Sequence, residues 1–258
     1  MCLLVLAWQA HPKYRLVVAA NRDEYHERPA SALAPWTAPD RILAGRDLRA
    51  GGTWLGLDRT RRFGVVTNFR DRQRPRRSAP TRGALIPDYL SGSASAAEYL
   101  ASLETDAPGY SGFNLLLSDA SSLWYASNRA ERFARPLEPG VYGLSNEFLD
   151  TPWPKLQRVR GHFQTWLREP SGTPSSLFEM LNDREPTPDA DLPHSGLPVE
   201  WERTLSSPFV LDTTYGTRCS TVLALEPSGA VYLAERRFDS AGLPSGQAEY
   251  QLNDREWP

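Results

Sequence analysis

The run Cys2-Leu3-Leu4-Val5-Leu6-Ala7-Trp8, directly behind Met1, is the stretch that decides the fold. The turn at 9–13 separates it from a second apolar run at 15–20, and two such runs around a short polar turn predict a β-hairpin. Because both runs are almost continuously apolar, they are more typical of strands buried on both faces than of strands half exposed to water. We therefore expect a hairpin that is covered on both sides.

Three further pairs of strand candidates have the same pattern. They lie at 52–57 with 63–69, 113–118 with 123–126, and 219–225 with 230–234. Helix candidates are fewer: a capping box formed by Ser95 and Glu98 opens one at 95–104, Pro154 opens one at 154–168, and Ser176 opens a short third. Repeated hairpins with few amphipathic helices predict an α+β fold of two stacked, mainly antiparallel sheets with the helices outside them.

Length and charge narrow the class of protein. The 258 residues show no internal repeat and no clean boundary, so we expect a single domain over 1–258. Lys and Arg number 29 against 31 Asp and Glu, and the net charge of 29 − 31 = −2 gives no support for nucleic-acid binding or a general attraction to membranes. No apolar run reaches the 18 or so residues of a membrane span.

The targeting and redox signals are those of a cytoplasmic protein. The first apolar run lacks the preceding basic residues and the cleavage site of a signal peptide. Cys2 and Cys219 do not make a disulfide framework, which favours a reducing compartment. We therefore expect a cytoplasmic location.

Cys2 is the first candidate for chemistry. Removal of Met1 would expose a cysteine that carries both a thiol and a free α-amine, and the amine can accept the thiol proton, so no histidine is needed. The alternative is that Cys2 is a small apolar residue at the start of a buried strand. The segment Asn21-Arg22-Asp23-Glu24 follows the second strand candidate, and hairpin pairing would place it close to Cys2. A cation there favours the thiolate, whereas the alternative is a solvated turn.

Other polar motifs lie near strand ends. Trp54, within Gly51-Gly52-Thr53-Trp54-Leu55-Gly56, is a candidate pocket wall, or else the glycines form a bulge. Asn68 and Asn146 are candidate donors to an oxyanion, or ordinary turn residues. Arg218 leads into a strand candidate, where it is positioned to bind a carboxylate or phosphate with two parallel hydrogen bonds.

The remaining features predict no resident cofactor. The four histidines have no metal-ligand spacing, and no glycine-rich nucleotide loop is present, so we expect neither a metal nor a cofactor. The charged run at 70–77 is either a site that attracts an anionic ligand or a solvated loop. It has no interleaved aromatic residues, so nucleic-acid binding is not expected.

Taken in order, these motifs resemble one known family. Asn21 to Glu24 spell NRDE, and the chain is similar to the NRDE family, the family of transport and Golgi organisation protein 2. The other motifs that carry this resemblance are the Met1-Cys2 start, 51–56, 67–70, Tyr110-Ser111-Gly112-Phe113-Asn114-Leu115, 145–146 and 215–220. The motifs run from residue 1 into the strand candidate at 219–225, so the resemblance covers nearly the whole chain.

The resemblance implies a fold and a chemistry. The family is related to N-terminal nucleophile hydrolases, and more loosely to the choloylglycine hydrolase and penicillin V acylase group, which have a four-layer αββα fold and cleave non-peptide amides with an N-terminal cysteine. It implies Cys2 as nucleophile, Asn68 and Asn146 as oxyanion and intermediate-binding residues, and Arg218 as the late active-site arginine. The acylase group has an arginine and an aspartate three positions apart after strand two. Arg22 and Asp23 are adjacent here, so at most one stands in its expected place.

Two functions follow as hypotheses. The first is an N-terminal-cysteine hydrolase or acyltransferase that acts on a small non-peptide amide or thioester, with Arg22, Asp23, Trp54 and Arg218 around the substrate. The second is a non-catalytic binding or trafficking protein, on the same fold, for an amphipathic anion such as haem, acyl-coenzyme A or a lipid. In both cases we expect the partner to be a small, anionic molecule.

Overall fold

The computed structural model describes residues 2–39, 41–70, 79–169, 172–193, 195–253 and 256–258. Within these ranges the strands form two antiparallel sheets, one of six strands and one of seven, accompanied by five α-helices. The α+β class with two antiparallel sheets is therefore confirmed. The chain divides into two compact units, the first built from residues 1–27, 139–145 and 149–256 and the second from 28–138, 146–148 and 257–258. The expected single domain over 1–258 stays a prediction.

The first unit contains the six-stranded sheet. Numbered along the chain, its strands are β1 (Cys2–Trp8), β2 (Leu16–Tyr25), β10 (Gly140–Ser145), β11 (Tyr215–Leu225), β12 (Val231–Phe238) and β13 (Pro244–Leu252). They lie in the order β10-β1-β2-β11-β12-β13, so β1 and β2 form the expected hairpin and are paired on both sides. Every residue of β1 after Cys2 is buried, as the continuous apolar run predicted.

Three helices accompany this sheet: α3 (Pro154–Trp166), α4 (Leu177–Leu181) and α5 (Val199–Thr204). The apolar face of α3, with Val159, Phe163 and Trp166, packs on alternate residues of the central strands such as Val5 and Val222. Burial of each such side chain contributes about 1.5–3 kcal/mol, so this shared core holds the β1–β2 hairpin in place.

The second unit contains the seven-stranded sheet, a meander of neighbouring strands. In spatial and chain order they are β3 (Ala30–Pro35), β4 (Ile42–Asp47), β5 (Leu55–Asp58), β6 (Phe63–Asn68), β7 (Phe113–Ser118), β8 (Leu123–Ser127) and β9 (Ala134–Pro136). The helices α1 (Leu85–Ser91) and α2 (Ala96–Leu103) pack on its core, and Ser95 and Glu98 form the predicted capping box of α2.

A buried arginine terminates α1. Arg62 donates to the carbonyls of Tyr89, Gly92 and Ala94 at 2.7–2.8 Å, and its guanidinium lies 4.0 Å from the centroid of the Tyr89 ring. The last carbonyls of a helix have no partner within it, so Arg62 supplies donors at the end of α1 and just beyond it, where the cap residue Gly92 does not adopt the left-handed backbone.

The structure corrects two boundaries that affect the site. Strand β2 does not end at residue 20 but continues to Tyr25, so Asn21, Arg22, Asp23 and Glu24 lie within a strand and not in a turn after it. Strand β11 begins at Tyr215, so Arg218 lies inside the strand as well. Polar residues can continue β2 because β11 pairs with it as far as Tyr25 and satisfies its backbone groups.

Candidate functional site

Cys2, Arg22 and Cys219 form a row across three strands of the first unit. Cys2 pairs with Arg22 across β1 and β2, and Arg22 pairs with Cys219 across β2 and β11. Directly opposite residues of antiparallel strands project to the same face, so the three side chains share one face with Arg22 in the middle. The expectation that the hairpin brings Arg22 beside Cys2 is confirmed.

The thiol of Cys2 is held in its protonated form. Burial raises the pKa of the Cys2 thiol above its usual value, and the carboxylate of Asp23 raises it further. The positive charge of the amino terminus, the Arg22 guanidinium and a hydrogen bond from the Asp23 backbone lower this pKa. In the chain that carries Met1, burial outweighs these effects together, so the cation beside Cys2 does not by itself produce a thiolate.

Asn21, the first residue of the NRDE segment, has a structural role. Its side chain is buried, and its amide nitrogen donates to the carbonyls of Leu181 and Pro208 at 2.8 and 2.9 Å. Its oxygen accepts a hydrogen bond from Ser220 Oγ at 2.6 Å. These bonds tie β2 to the end of α4 and to the loop before β11.

Asp23 is the buried carboxyl group of the site. Thr217 Oγ1 donates to Asp23 Oδ1 at 2.7 Å, and the Tyr215 hydroxyl donates to the Asp23 backbone carbonyl at 2.8 Å. Burial raises the pKa of Asp23, while the positive charges of the amino terminus, Lys155 and Arg22 and the bond from Thr217 lower it. The net effect is an increase, so Asp23 binds a proton more readily than an exposed aspartate.

Two arginines lie close together on these strands. Arg22 is buried and lies 3.8 Å from the carboxylate of Glu24. Arg218 occupies a bulge, between the register of Thr217 and that of Cys219, and donates to the carbonyls of Tyr25 and His26 at 3.0 Å. Burial lowers the pKa of Arg218, and the neighbouring charge of Arg22 lowers it further. An anion near both groups would relieve this repulsion.

The second unit brings Asn68 and Asn146 together. Asn146 Nδ2 donates to the Asn68 carbonyl at 3.0 Å, and the Asn146 carbonyl accepts from the Arg70 backbone at 2.6 Å. Asn146 is fully buried, and its Oδ1 has no hydrogen-bond partner among the residues that the structure describes. Asn146 follows Ser145, whose hydroxyl donates to the Cys2 carbonyl at 3.4 Å. The Asn68 side chain makes no hydrogen bond to any described residue, so its amide can donate to a ligand.

The glycine-rich motif around Trp54 is largely structural. An added Cβ on Gly52 would lie 2.1 Å from the carbonyl oxygen of Gly83, so the two backbones meet where only glycine fits. The Trp54 ring lies against Gly45, where a Cβ would be 2.4 Å from the ring. Trp54 is partly exposed, and its role in ligand binding stays a proposal. Of the charged run at 70–77 only Arg70 belongs to the described residues; the remainder lies outside them.

Among the described residues no group of three or more His, Cys, Asp or Glu side chains is arranged to hold a metal ion. Over the same residues no helix is long and apolar enough to cross a membrane.

Sequence reasoning missed the residue that holds Asp23. Thr217 belongs to the quoted segment 215–220, but only Arg218 was singled out there. The pairing of β2 with β11 sets Thr217 directly opposite Asp23, and this register is known only from the structure.

The fold of the chain is similar to that of an N-terminal nucleophile hydrolase. The C2A mutant of a conjugated bile acid hydrolase from Clostridium perfringens is similar in structure with a TM-score of 0.53, over 99% of this chain and 94% of that one, at 8% identity. Identity this low shows a shared fold and nothing finer.

The family follows from the sequence match. The model of the family Transport and Golgi organisation 2 matches residues 1–240, so the chain belongs to that family, which is the NRDE family of the motifs. It is 33% identical to the mouse Transport and Golgi organization 2 homolog, over 100% of this chain and 99% of the relative. It is 32% identical to the human homolog over 92% of each chain, and 24% identical to the Drosophila melanogaster protein over 91% of each.

Proposed function

We propose that this protein is an N-terminal-cysteine hydrolase or acyltransferase that acts on a small non-peptide amide or thioester. The observation that carries the proposal is the pairing of Cys2 with Arg22, beside the buried carboxyl group of Asp23, at the head of the first strand. The structural neighbour is named for acting on conjugated bile acids, and its mutation C2A marks a cysteine at the same position of its own chain.

The proposed reaction begins with removal of Met1. The Cys2 sulfur bonds to the substrate carbonyl carbon, and the thiol proton passes to the Cys2 α-amine. The carbonyl oxygen becomes an oxyanion, for which the amides of Asn68 and Asn146 are the proposed donors. The bond to the leaving amine or thiol then breaks, and the leaving group takes the proton from the α-ammonium group. Water, or another acceptor, attacks the acyl-cysteine and regenerates the thiol.

Arg22 and Arg218 are the proposed contacts for an anionic group of the substrate. The support is their proximity, since the charge of Arg22 lowers the pKa of Arg218, together with the burial of Arg22. Trp54 is the proposed apolar contact. Both cysteines are free thiols, which agrees with the reducing, cytoplasmic location that we propose.

A second candidate function is supported by one observation. Burial raises the pKa of the Cys2 thiol, whereas an active cysteine usually has a lowered pKa. A non-catalytic protein that binds an amphipathic anion, such as haem, acyl-coenzyme A or a lipid, needs the arginines but no thiolate.

One experiment separates the two functions. Intact mass first shows whether Met1 is removed from the purified protein. The protein is then incubated with matched acyl amides and acyl thioesters, with and without a terminal carboxylate, and the Cys2 peptide is examined for an acyl adduct. We expect an adduct and turnover that Cys2→Ala abolishes and Cys219→Ala retains. Turnover that survives in Cys2→Ala would exclude the nucleophile. Tight binding of the carboxylates without an adduct on Cys2 would establish the binding protein.

A further inference from the structure

We propose that Thr217 is a positioning residue, whose hydroxyl, locked between the Val210 N–H group and Asp23 Oδ1, orients the Asp23 carboxylate so that Oδ2 serves the α-amine of Cys2. This inference rests on the proposed function, in which that amine accepts the thiol proton. Thr217 lies in the family motif 215–220, in which only Arg218 had been given a role.

The direction of the hydrogen bonds follows from the number of hydrogens. The Val210 backbone N–H donates to Thr217 Oγ1 at 2.9 Å, and a backbone N–H can only donate. The hydroxyl has a single hydrogen, and Asp23 Oδ1 lies 2.7 Å from it. The hydroxyl therefore donates to Oδ1, which fixes that oxygen as the acceptor. A proton on Asp23 accordingly belongs on Oδ2.

The surroundings prevent this arrangement from relaxing. Thr217, Val210 and Asp23 are buried to 2%, 0% and 2% exposure, so solvent does not replace the hydroxyl. The Thr217 backbone N–H donates to the Val210 carbonyl at 2.9 Å, which closes a second bond between the same two residues. The Tyr215 hydroxyl holds the Asp23 backbone. Asp23 and Thr217 are also direct partners across β2 and β11, immediately before the bulge at Arg218.

Four charged or titratable groups act on this carboxylate. They are the amino terminus, the Cys2 thiol on β1, Lys155 on α3 and Arg22 on β2. The charges of the amino terminus, Lys155 and Arg22 and the Thr217 hydrogen bond oppose the increase in the Asp23 pKa that burial causes. Loss of the hydroxyl removes one of these contributions and leaves the charges in place, so it raises the pKa of Asp23 further.

The test follows the ionisation of Asp23 through its effect on the reactivity of the Cys2 thiol, and it needs no substrate. The ionised Asp23 carboxylate raises the pKa of Cys2. A plot of the rate of Cys2 alkylation by iodoacetamide against pH therefore has an inflection where Asp23 titrates. We measure that rate from pH 4 to pH 9, followed on the Cys2 peptide by mass spectrometry. In Thr217→Val we expect the inflection to move to higher pH by about one unit, the size expected for a lost hydrogen bond to a charged group.

The controls separate positioning from packing. Thr217→Ser keeps the hydroxyl and should keep the inflection of the parent protein. Thr221→Val makes the same change at another buried threonine of β11, which makes no side-chain hydrogen bond to a described residue, and should not move it. Thr217→Ala lacks the hydroxyl in a smaller side chain and serves if the valine variant does not fold.

Each result decides the proposal. An inflection that moves in Thr217→Val or Thr217→Ala, but not in the two controls, supports it. An inflection that stays in place without the hydroxyl overturns it, as does a parent protein with no inflection. If no acyl compound is turned over, the proposed function fails, yet a shifted inflection still establishes that Thr217 controls Asp23.

Discussion

Ser220 and Asn21 are direct partners across β11 and β2, and the serine hydroxyl donates to the asparagine side chain at 2.6 Å. The same asparagine donates to two carbonyls outside the sheet, those of Leu181 and Pro208. All three partners are buried, so the Asn21 side chain joins the sheet to the end of α4 and to the loop before β11. The NRDE segment at 21–24 therefore begins with a residue whose role is structural.

Asn21→Ala should destabilise the protein without touching the chemistry directly. It leaves two buried carbonyls and the Ser220 hydroxyl without their partner, and we expect the free energy of unfolding to fall by about 2–4 kcal/mol. Urea denaturation followed by circular dichroism measures the change. Asn182→Ala, at an exposed position, should change stability by no more than about 0.5 kcal/mol. Equal effects of the two variants would contradict the structural role of Asn21.

Two glycine-to-alanine variants should have opposite effects. In Gly52→Ala the new methyl group would lie 2.1 Å from the Gly83 carbonyl oxygen, so the backbones must separate and stability should fall by about 2 kcal/mol or more. Gly161 lies in α3 with open space around the added atom, so Gly161→Ala should stabilise the protein by about 0.5–1 kcal/mol. Thermal unfolding of the pair gives the signs, and a stabilising Gly52→Ala would refute the close approach.

Arg62→Met should loosen the end of α1. The variant leaves the carbonyls of Tyr89, Gly92 and Ala94 without their donor in a largely buried place, at an expected cost of about 3 kcal/mol. Hydrogen exchange should show faster exchange in α1 than in α3. Arg59→Met replaces an exposed arginine of the same loop and should leave both helices protected.

Asp23→Asn should stabilise the protein while it abolishes turnover. The folded-state pKa of Asp23 is raised above the ordinary value of 3.8, so the folded protein loses stability as pH rises through the interval between the two. Asparagine does not ionise, so the melting temperature of the variant should exceed that of the parent above this interval, by about 2–4 °C for each kcal/mol recovered, and the difference should vanish below it. Asp189→Asn, at an exposed carboxylate whose pKa a hydrogen bond from Arg203 lowers, should give no gain at any pH.

Cys2 should react with iodoacetamide before Cys219 does. Cys219 is buried at 4% exposure, and burial together with the nearby Glu235 carboxylate holds the pKa of its thiol well above the usual value. Cys2 retains partial exposure. Mass spectrometry of the two peptides in the native protein should show Cys2 labelled first, with equal labelling only after denaturation. Equal rates in the native state would argue against an accessible thiol at position 2.

The sequence predicted those parts of the fold in which a local pattern and a buried environment coincide. Strands β1 and β7 match their apolar runs at 2–8 and 113–118 residue for residue, and the capping box located α2. The short helices α1 and α5 were not predicted, since neither has a side-chain cap and Arg62, which terminates α1, lies far from it in the chain. Edge strand β13 was missed because its residues are mostly exposed and polar.

The candidate site was predictable in its residues but not in its contacts. The hairpin pattern alone placed Arg22 beside Cys2. The roles of Asn21 and Thr217 depend on partners about 160 to 200 positions away, which no local pattern contains. The polar content of the NRDE segment suggested a turn, and the structure shows a strand because β11 pairs with it along its whole length.

The way the second unit interrupts the first has a consequence for how the chain is synthesised. The second unit is nearly one continuous segment, 28–138, whose strands pair with their neighbours along the chain, so it can fold while the ribosome is still extending the protein. The hairpin of β1 and β2 emerges first but must wait for β10 and β11, which come more than a hundred residues later. Cys2 and Asp23 therefore acquire their surroundings only when translation is almost finished. Truncated or stalled chains should contain a folded second unit and no assembled surroundings for the thiol.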